Sequence, residues 1–166
     1  ILLVDDSALI LSELSLVLQK SELFSSIFKA SDGEEGIRIT MKERPDLVIL
    51  DLQMPRMDGF TFLRWLMANH PVPVLVFSSM GTDQNIFKAM EIGAVDFITK
   101  PETYIQSEFR DYLMEKIKAA LHATVRPGKR STDSPAQVPA EKVKPEGKRK
   151  TGSLQCVCLG ASTGGP

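Results

Sequence analysis

The sequence predicts a doubly wound α/β domain on a five-stranded parallel sheet, followed by a linker and the first strand of a second α/β domain. Three observations point there. Short apolar runs at residues 1–4, 47–50 and 74–78 lack polar alternation, the pattern of strands buried on both faces of a parallel sheet. Segments with apolar residues at helical spacing separate these runs, so strand and helix alternate five times. Acids or other polar residues follow the runs directly, at the edge where open α/β sheets bind ligands.

The elements follow in chain order. After the first strand, either Asp6 or Ser7 can cap a helix reaching about Lys20, with Leu11, Leu14 and Leu18 on one stripe. A second strand falls at 26–30. Asp32 then caps a helix to about Arg44, with Glu35 three positions on in a capping-box pattern, and Pro45-Asp46 breaks it. The third strand, 47–50, runs into Asp51 and a Pro/Gly-containing loop. Asp58-Gly59 opens a helix with Phe62, Leu63, Leu66 and Met67 at helical spacing. Pro71 and Pro73 frame the turn into the fourth strand, 74–78. A fourth helix over about 84–92 ends at Gly93, which suits a left-handed position after a helix. The fifth strand is 96–99, followed by Lys100-Pro101. Thr103 and Gln106 repeat the capping-box pattern before a helix to about Thr124 that buries Ile105, Phe109, Leu113, Ile117 and Ala120.

Length and charge set the boundaries. The 166 residues, 25% charged and 43% hydrophobic, allow one domain of ordinary size plus a fragment. We expect a domain at 1–124, a Pro- and charge-rich linker at 125–151, and the start of a second domain at 152–166. Residues 126–150 hold eight Lys/Arg against three Asp/Glu and four prolines, too little apolar surface to fold and enough charge to stay extended. Residues 1–125 carry 12 bases against 18 acids, which argues against nucleic acid as a partner. No apolar run approaches the ~20 residues that span a bilayer, so no membrane insertion is expected. Cys156 and Cys158 fall on one face of a strand at 154–159 and read as core residues; two cysteines build no disulfide framework, which favours a reducing, cytoplasmic setting. The chain opens at Ile1 inside an apolar run and stops at Gly164-Gly165-Pro166, so we expect a piece of a longer protein.

In this alternation the loops after strands one, three, four and five converge, gathering Asp5, Asp6, Asp51, Ser78 and Lys100 at one sheet edge. Three carboxylates in one crevice repel each other, and a divalent cation relieves that repulsion. Mg²⁺ suits one or two carboxylates together with phosphate oxygens. A carboxylate placed there can also accept a phosphoryl group, with Lys100 neutralising developing charge and the Ser78 hydroxyl hydrogen-bonding the phosphoryl oxygens.

The motifs Val4-Asp5-Asp6-Ser7, Leu50-Asp51-Leu52-Gln53-Met54-Pro55, Met57-Asp58-Gly59 and Thr99-Lys100-Pro101 resemble the flavodoxin-like receiver domain of two-component response regulators over about residues 1–124. That resemblance implies Asp51 as phosphoacceptor, Mg²⁺ held by Asp5, Asp6, Asp51 and the Gln53 main-chain carbonyl, and phosphoryl contacts from Ser78 and Lys100. It implies a cis Lys100–Pro101 bond and a switch aromatic at Phe97, which lacks the tyrosine hydroxyl of many members and must act by packing.

A second resemblance is narrower. Residues 158–166, Cys-Leu-Gly-Ala-Ser-Thr-Gly-Gly-Pro, are similar to the opening of the catalytic domain of the chemotaxis protein-glutamate methylesterases, the CheB family. Residues 55–59 and 93–101 resemble that family's own receiver. This implies Ser162 as nucleophile of a Ser-His-Asp triad that hydrolyses glutamyl methyl esters on chemoreceptors, with receptor glutamine deamidation as a related activity. Small neighbours in a Gly-x-Ser-x-Gly turn let the hydroxyl protrude and leave backbone N–H groups for an oxyanion. The implied partners are a chemotaxis histidine kinase as phosphodonor, methylated chemoreceptors as substrate, and the protein's own catalytic domain.

His70 and His122 both fall in the first domain, so these 166 residues supply no triad base and are expected to lack esterase activity. Two other readings stay open. One is a receiver acting only as a phosphorylation-gated interaction module. The other is an aspartate-dependent phosphatase, which would want a second acid where Gln53 stands.

Overall fold

The computed structural model describes residues 1–79, 82–101 and 107–123. They form β1 (Leu2–Val4), α1 (Ala8–Gln19), β2 (Phe28–Ala30), α2 (Gly33–Glu43), β3 (Val48–Leu50), α3 (Gly59–Asn69), β4 (Val74–Ser78), α4 (Asp83–Ile92), β5 (Asp96–Thr99) and α5 (Ser107–Leu121). The five strands are all parallel, in the order β2-β1-β3-β4-β5. This is the expected fold. The capping pair Thr103 and Gln106, Ile105, the linker, Cys156, Cys158 and Ser162 lie outside the described residues.

The strand period of two divides the core between the two sheet faces. Leu2, Val4, Val48, Leu50, Val74 and Val76 pack on one side with Phe62, Leu63, Leu66 and Met67 of α3 and Ala89 of α4. Leu3, Ile49, Leu75 and Phe77 pack on the other with Leu11, Leu14 and Leu18 of α1 and Leu113, Ile117 and Ala120 of α5. Burying each of these larger side chains contributes about 1.5–3 kcal/mol, which holds the central strands rigid.

Helix starts follow the cap chemistry. Ser7 Oγ accepts from Ile10 N at 3.4 Å, Asp32 from Glu35 N at 2.8 Å and Asp58 from Thr61 N at 2.9 Å. Glu35 departs from the box pattern: its carboxylate accepts from the Ser31 amide at 2.8 Å and hydroxyl at 2.9 Å, one residue before the cap. Asp32 Oδ1 makes the cap, and its Oδ2 accepts from Arg56 Nε at 2.8 Å. Gly93 ends α4 at φ 130°, a conformation that glycine reaches without strain. β2 is shorter than expected, because pairing with β1 begins only at Phe28 opposite Leu2.

Candidate functional site

Ladder hydrogen bonds continue one residue past the strand ends, and those residues carry the site. The Asp5 amide donates to Ala30 O at 3.0 Å, the Asp51 amide to Val4 O at 2.9 Å and the Lys100 amide to Ser78 O at 3.1 Å. Their backbones are thus fixed by the sheet, and only the side chains project from its carboxyl edge.

Lys100 Nζ lies 2.7 Å from Asp5 Oδ2 and 2.6 Å from Asp51 Oδ2. Asp51 Oδ1 accepts from the Gln53 amide at 3.2 Å, and Asp5 Oδ1 from the Ser7 amide at 2.9 Å. Asp5 is 2% exposed and Asp51 4%, whereas Asp6 faces solvent. Carboxylate oxygens of Asp5, Asp6 and Asp51 all come within 4.8 Å of one another. An open cleft of about 1030 Å³ is lined by Asp6, Asp51, Gln53, Met54, Ser79 and Lys100 among others.

Charge does not balance inside this group. Three carboxylates face one ammonium, a net of two negative charges when all are ionised. Burial is the largest influence on Asp5 and pushes its carboxyl above the ordinary 3.8; Lys100 and the Ser7 amide pull it back, and Asp51 adds to the rise. Burial alone would lower Lys100, but Asp5 and Asp51 outweigh it, so the ammonium is held above its ordinary 10.5. Asp5 Oδ2, although paired with Lys100 in charge, is buried without a well-directed hydrogen bond. An all-oxygen donor set with excess negative charge and one under-satisfied buried oxygen fits a hard divalent cation.

Residues 1–110 match the response regulator receiver domain family. The chain belongs to the response regulator receiver domain family. At 30% identity it superposes on the response regulator domain of Thermotoga maritima CheB, with a TM-score of 0.63 over 74% of this chain and 96% of that one. A chain from the CheX-CheY-BeF3-Mg²⁺ complex of Borrelia burgdorferi matches at 31% identity and a TM-score of 0.62, over 71% and 85%. Among curated relatives, a protein-glutamate methylesterase/protein-glutamine glutaminase of Geobacter sulfurreducens is 38% identical over all of this chain and 50% of its own length. One of Myxococcus xanthus is 42% identical over all of this chain and 46% of its own. The chain spans about half the length of the curated relatives it matches.

Of the residues expected at this receiver's site, the structure gathers Asp5, Asp6, Asp51 and Lys100, with Gln53 on the cleft wall. Ser78 is fully buried at the end of β4, and its neighbour Ser79 lines the cleft. Phe97 is half-buried on β5, opposite Val76 and against the α2–α4 side of the core. One expectation is corrected. No peptide bond among the described residues is cis, so Lys100–Pro101 is trans. Trans is the lower-energy isomer even before proline, and with it Lys100 already reaches both carboxylates.

Two residues inside the quoted motifs make contacts that the motifs do not specify. Arg56 Nε donates to Asp32 Oδ2 at 2.8 Å, and its Nη2 contacts the same oxygen. Gly59 is required by contact: a Cβ there would collide with the Asp51 carbonyl oxygen and lie 2.7 Å from Leu52 Cα. The first turn of α3 therefore packs directly under the strand end that carries Asp51.

Proposed function

We propose that this receiver accepts a phosphoryl group on Asp51 from a chemotaxis histidine kinase, and that the phosphorylated state controls hydrolysis of glutamyl methyl esters on chemoreceptors. The observation that carries the first half is the Asp51 carboxylate on the cleft wall, one oxygen 2.6 Å from the Lys100 ammonium and the other on the Gln53 amide. In the transfer, an Asp51 oxygen forms a bond to phosphorus while the phosphorus–donor bond breaks, and the electron pair leaves with the donor. Lys100 stands beside that oxygen and neutralises charge on the transferring group.

Asp5, Asp6 and Asp51, with the Gln53 main-chain carbonyl, would hold Mg²⁺. When bound, Mg²⁺ supplies charge neutralisation at the phosphoryl oxygens. The Mg²⁺ and BeF3 named in the Borrelia complex are consistent with this assignment. Ser78 and Phe97 follow as the phosphoryl contact and the packing switch. Gln53 offers no carboxylate to work as a general acid or base, which favours a phosphoryl group kept as a signal over rapid turnover.

The second half rests on the curated relatives, whose names pair methylesterase with glutaminase activity, and on the Gly-x-Ser-x-Gly turn around Ser162. In a protein of the relatives' length, Ser162 is the nucleophile and this receiver its regulator. The setting is cytoplasmic; no helix among the described residues is long and apolar enough to cross a membrane.

The test is Asp51→Asn. Incubation with a radiolabelled small phosphodonor and Mg²⁺ should label the wild type and leave the variant unlabelled. Undiminished labelling of the variant would remove Asp51 as the acceptor.

A further inference from the structure

The loop from Asp51 to Gly59 is fixed at both ends by its neighbours in sequence. The Gln53 amide bonds the Asp51 side chain, and the Gly59 amide donates to Leu52 O at 3.0 Å. Its middle is fixed differently. Arg56 sits at φ 63°, a left-handed conformation that an arginine keeps only where its surroundings hold it. What holds it lies 24 residues away: the guanidinium engages Asp32 Oδ2 through two nitrogens. Next to this contact, the Gly33 amide donates to Met57 O at 3.3 Å, and the Met57 side chain fills the space where a Cβ on Gly33 would lie, 2.6 Å from its Cγ.

Asp32 serves two partners with two oxygens. Oδ1 caps α2 through the Glu35 amide, and Oδ2 takes Arg56. The segment suspended between these anchors, Gln53, Met54 and Pro55, is one wall of the acidic cleft.

We propose that Arg56 and Asp32 form a clamp that positions this wall and thereby sets the cleft's affinity for a divalent cation. Both are positioning residues, acting through the main chain of the loop and touching neither the cation nor a phosphoryl group. The proposal rests on the reading of the cleft as a Mg²⁺ site. It predicts that the clamp works as a unit: losing either partner releases the loop, and losing both does no further harm.

Four variants of the 166-residue chain test this. Arg56→Asn keeps a residue that tolerates the left-handed region while removing the guanidinium. Asp32→Asn keeps an acceptor for the α2 cap while replacing the oxygen that takes Arg56. The others are the double variant and Arg56→Lys. Mg²⁺ affinity is measured by calorimetry, and amide exchange is followed without metal.

Partners that orient metal ligands are worth about 10- to 100-fold in affinity, and the clamp acts one step further out, so each single variant should bind ~3- to 10-fold more weakly. The double variant should match the singles, and Arg56→Lys should fall between, since an ammonium lacks the guanidinium fork. Thermal midpoints should change little, because the Arg56 side chain is 57% exposed and such pairs add little stability. The Gly33 amide, bonded to the loop, should exchange faster, and the Gly36 amide, bonded to Asp32 O, should not. If the wild type binds Mg²⁺ and both single variants bind within twofold of it, or if their losses add, the clamp is overturned alone. A wild type that takes no Mg²⁺ overturns the reading of the cleft itself.

Discussion

Replacing Lys100 with Met isolates what the ammonium does for the receiver. Methionine keeps much of the unbranched stem and removes only the charge, leaving Asp5 and Asp51 side by side and buried. Removing one partner of a buried pair costs about 3–5 kcal/mol. The Lys100 side chain is 10% exposed and the cleft beside Asp51 admits water, so solvent screening reduces the loss to about 2–3 kcal/mol. Urea unfolding at pH 7 with a chelator should show that deficit. Its pH dependence follows from the direction of the Asp5 shift. Burial raises Asp5 above its ordinary 3.8, so the folded state holds that proton more tightly than the unfolded chain, and stability falls as pH rises through the folded value. Without Lys100 the rise is greater and the window reaches higher pH. The gap between wild type and variant should therefore narrow from pH 7 to pH 5. Lys100 itself, raised above 10.5, contributes stability below that value and loses it as pH climbs through the folded one, so wild type alone should weaken at strongly alkaline pH. Mg²⁺ should rescue the variant more than the wild type, a ligand at 100 times its Kd adding about 2.7 kcal/mol. A variant as stable as wild type at pH 7 in chelator would refute the compensating role of Lys100.

Two further outcomes follow from the same geometry. Asp5→Asn removes a charge that its surroundings disfavour, so metal-free stability at pH 7 should rise in urea unfolding, while calorimetry should show Mg²⁺ affinity falling roughly tenfold or more. Gly59→Ala drives a methyl into the Asp51 carbonyl, and overpacking of this kind costs about 1–3 kcal/mol. Thermal unfolding should register it as a drop of several degrees, and phosphodonor labelling should slow because the displaced strand end carries the acceptor.

The legible parts of this chain are those whose signal is local. Apolar runs such as Leu47 to Leu50 announced strands buried on both faces, and Ser7, Asp32 and Asp58 announced helix starts, because cap and helix are neighbours in sequence. Strand alternation then placed Asp5, Asp51 and Lys100 together, since parallel strands with helical crossovers put their carboxyl ends at one edge. What stayed hidden depends on distance in sequence. Arg56 and Asp32 are 24 residues apart, and no pattern links them. Met57-Asp58-Gly59 marks the glycine at position 59, but not the reason for it, a collision with the Asp51 main-chain oxygen. The Lys100–Pro101 isomer is set by a small energy difference that sequence does not carry, and the resemblance suggested the other one.

These two kinds of constraint have different consequences at the site. Asp5 and Asp51 hang from ladder bonds at the ends of the central strands β1 and β3, and Lys100 from a bond between edge strand β5 and β4, so their backbones are tied to the sheet. Asp5 is kept at some cost to stability, since it is buried where its charge is disfavoured, and Lys100 between the two acids offsets part of that cost. A divalent cation or a phosphoryl group changes that charge balance without moving the strands. The Gln53–Pro55 wall, by contrast, hangs from a loop whose middle is held by the largely exposed Arg56 and by Met57 against Gly33. A change of charge in the cleft is therefore opposed least at this wall and most at the strand ends. Amide exchange with and without Mg²⁺ should therefore change more at Gly33, which is bonded to this loop, than at the Asp5 and Asp51 amides in the ladder.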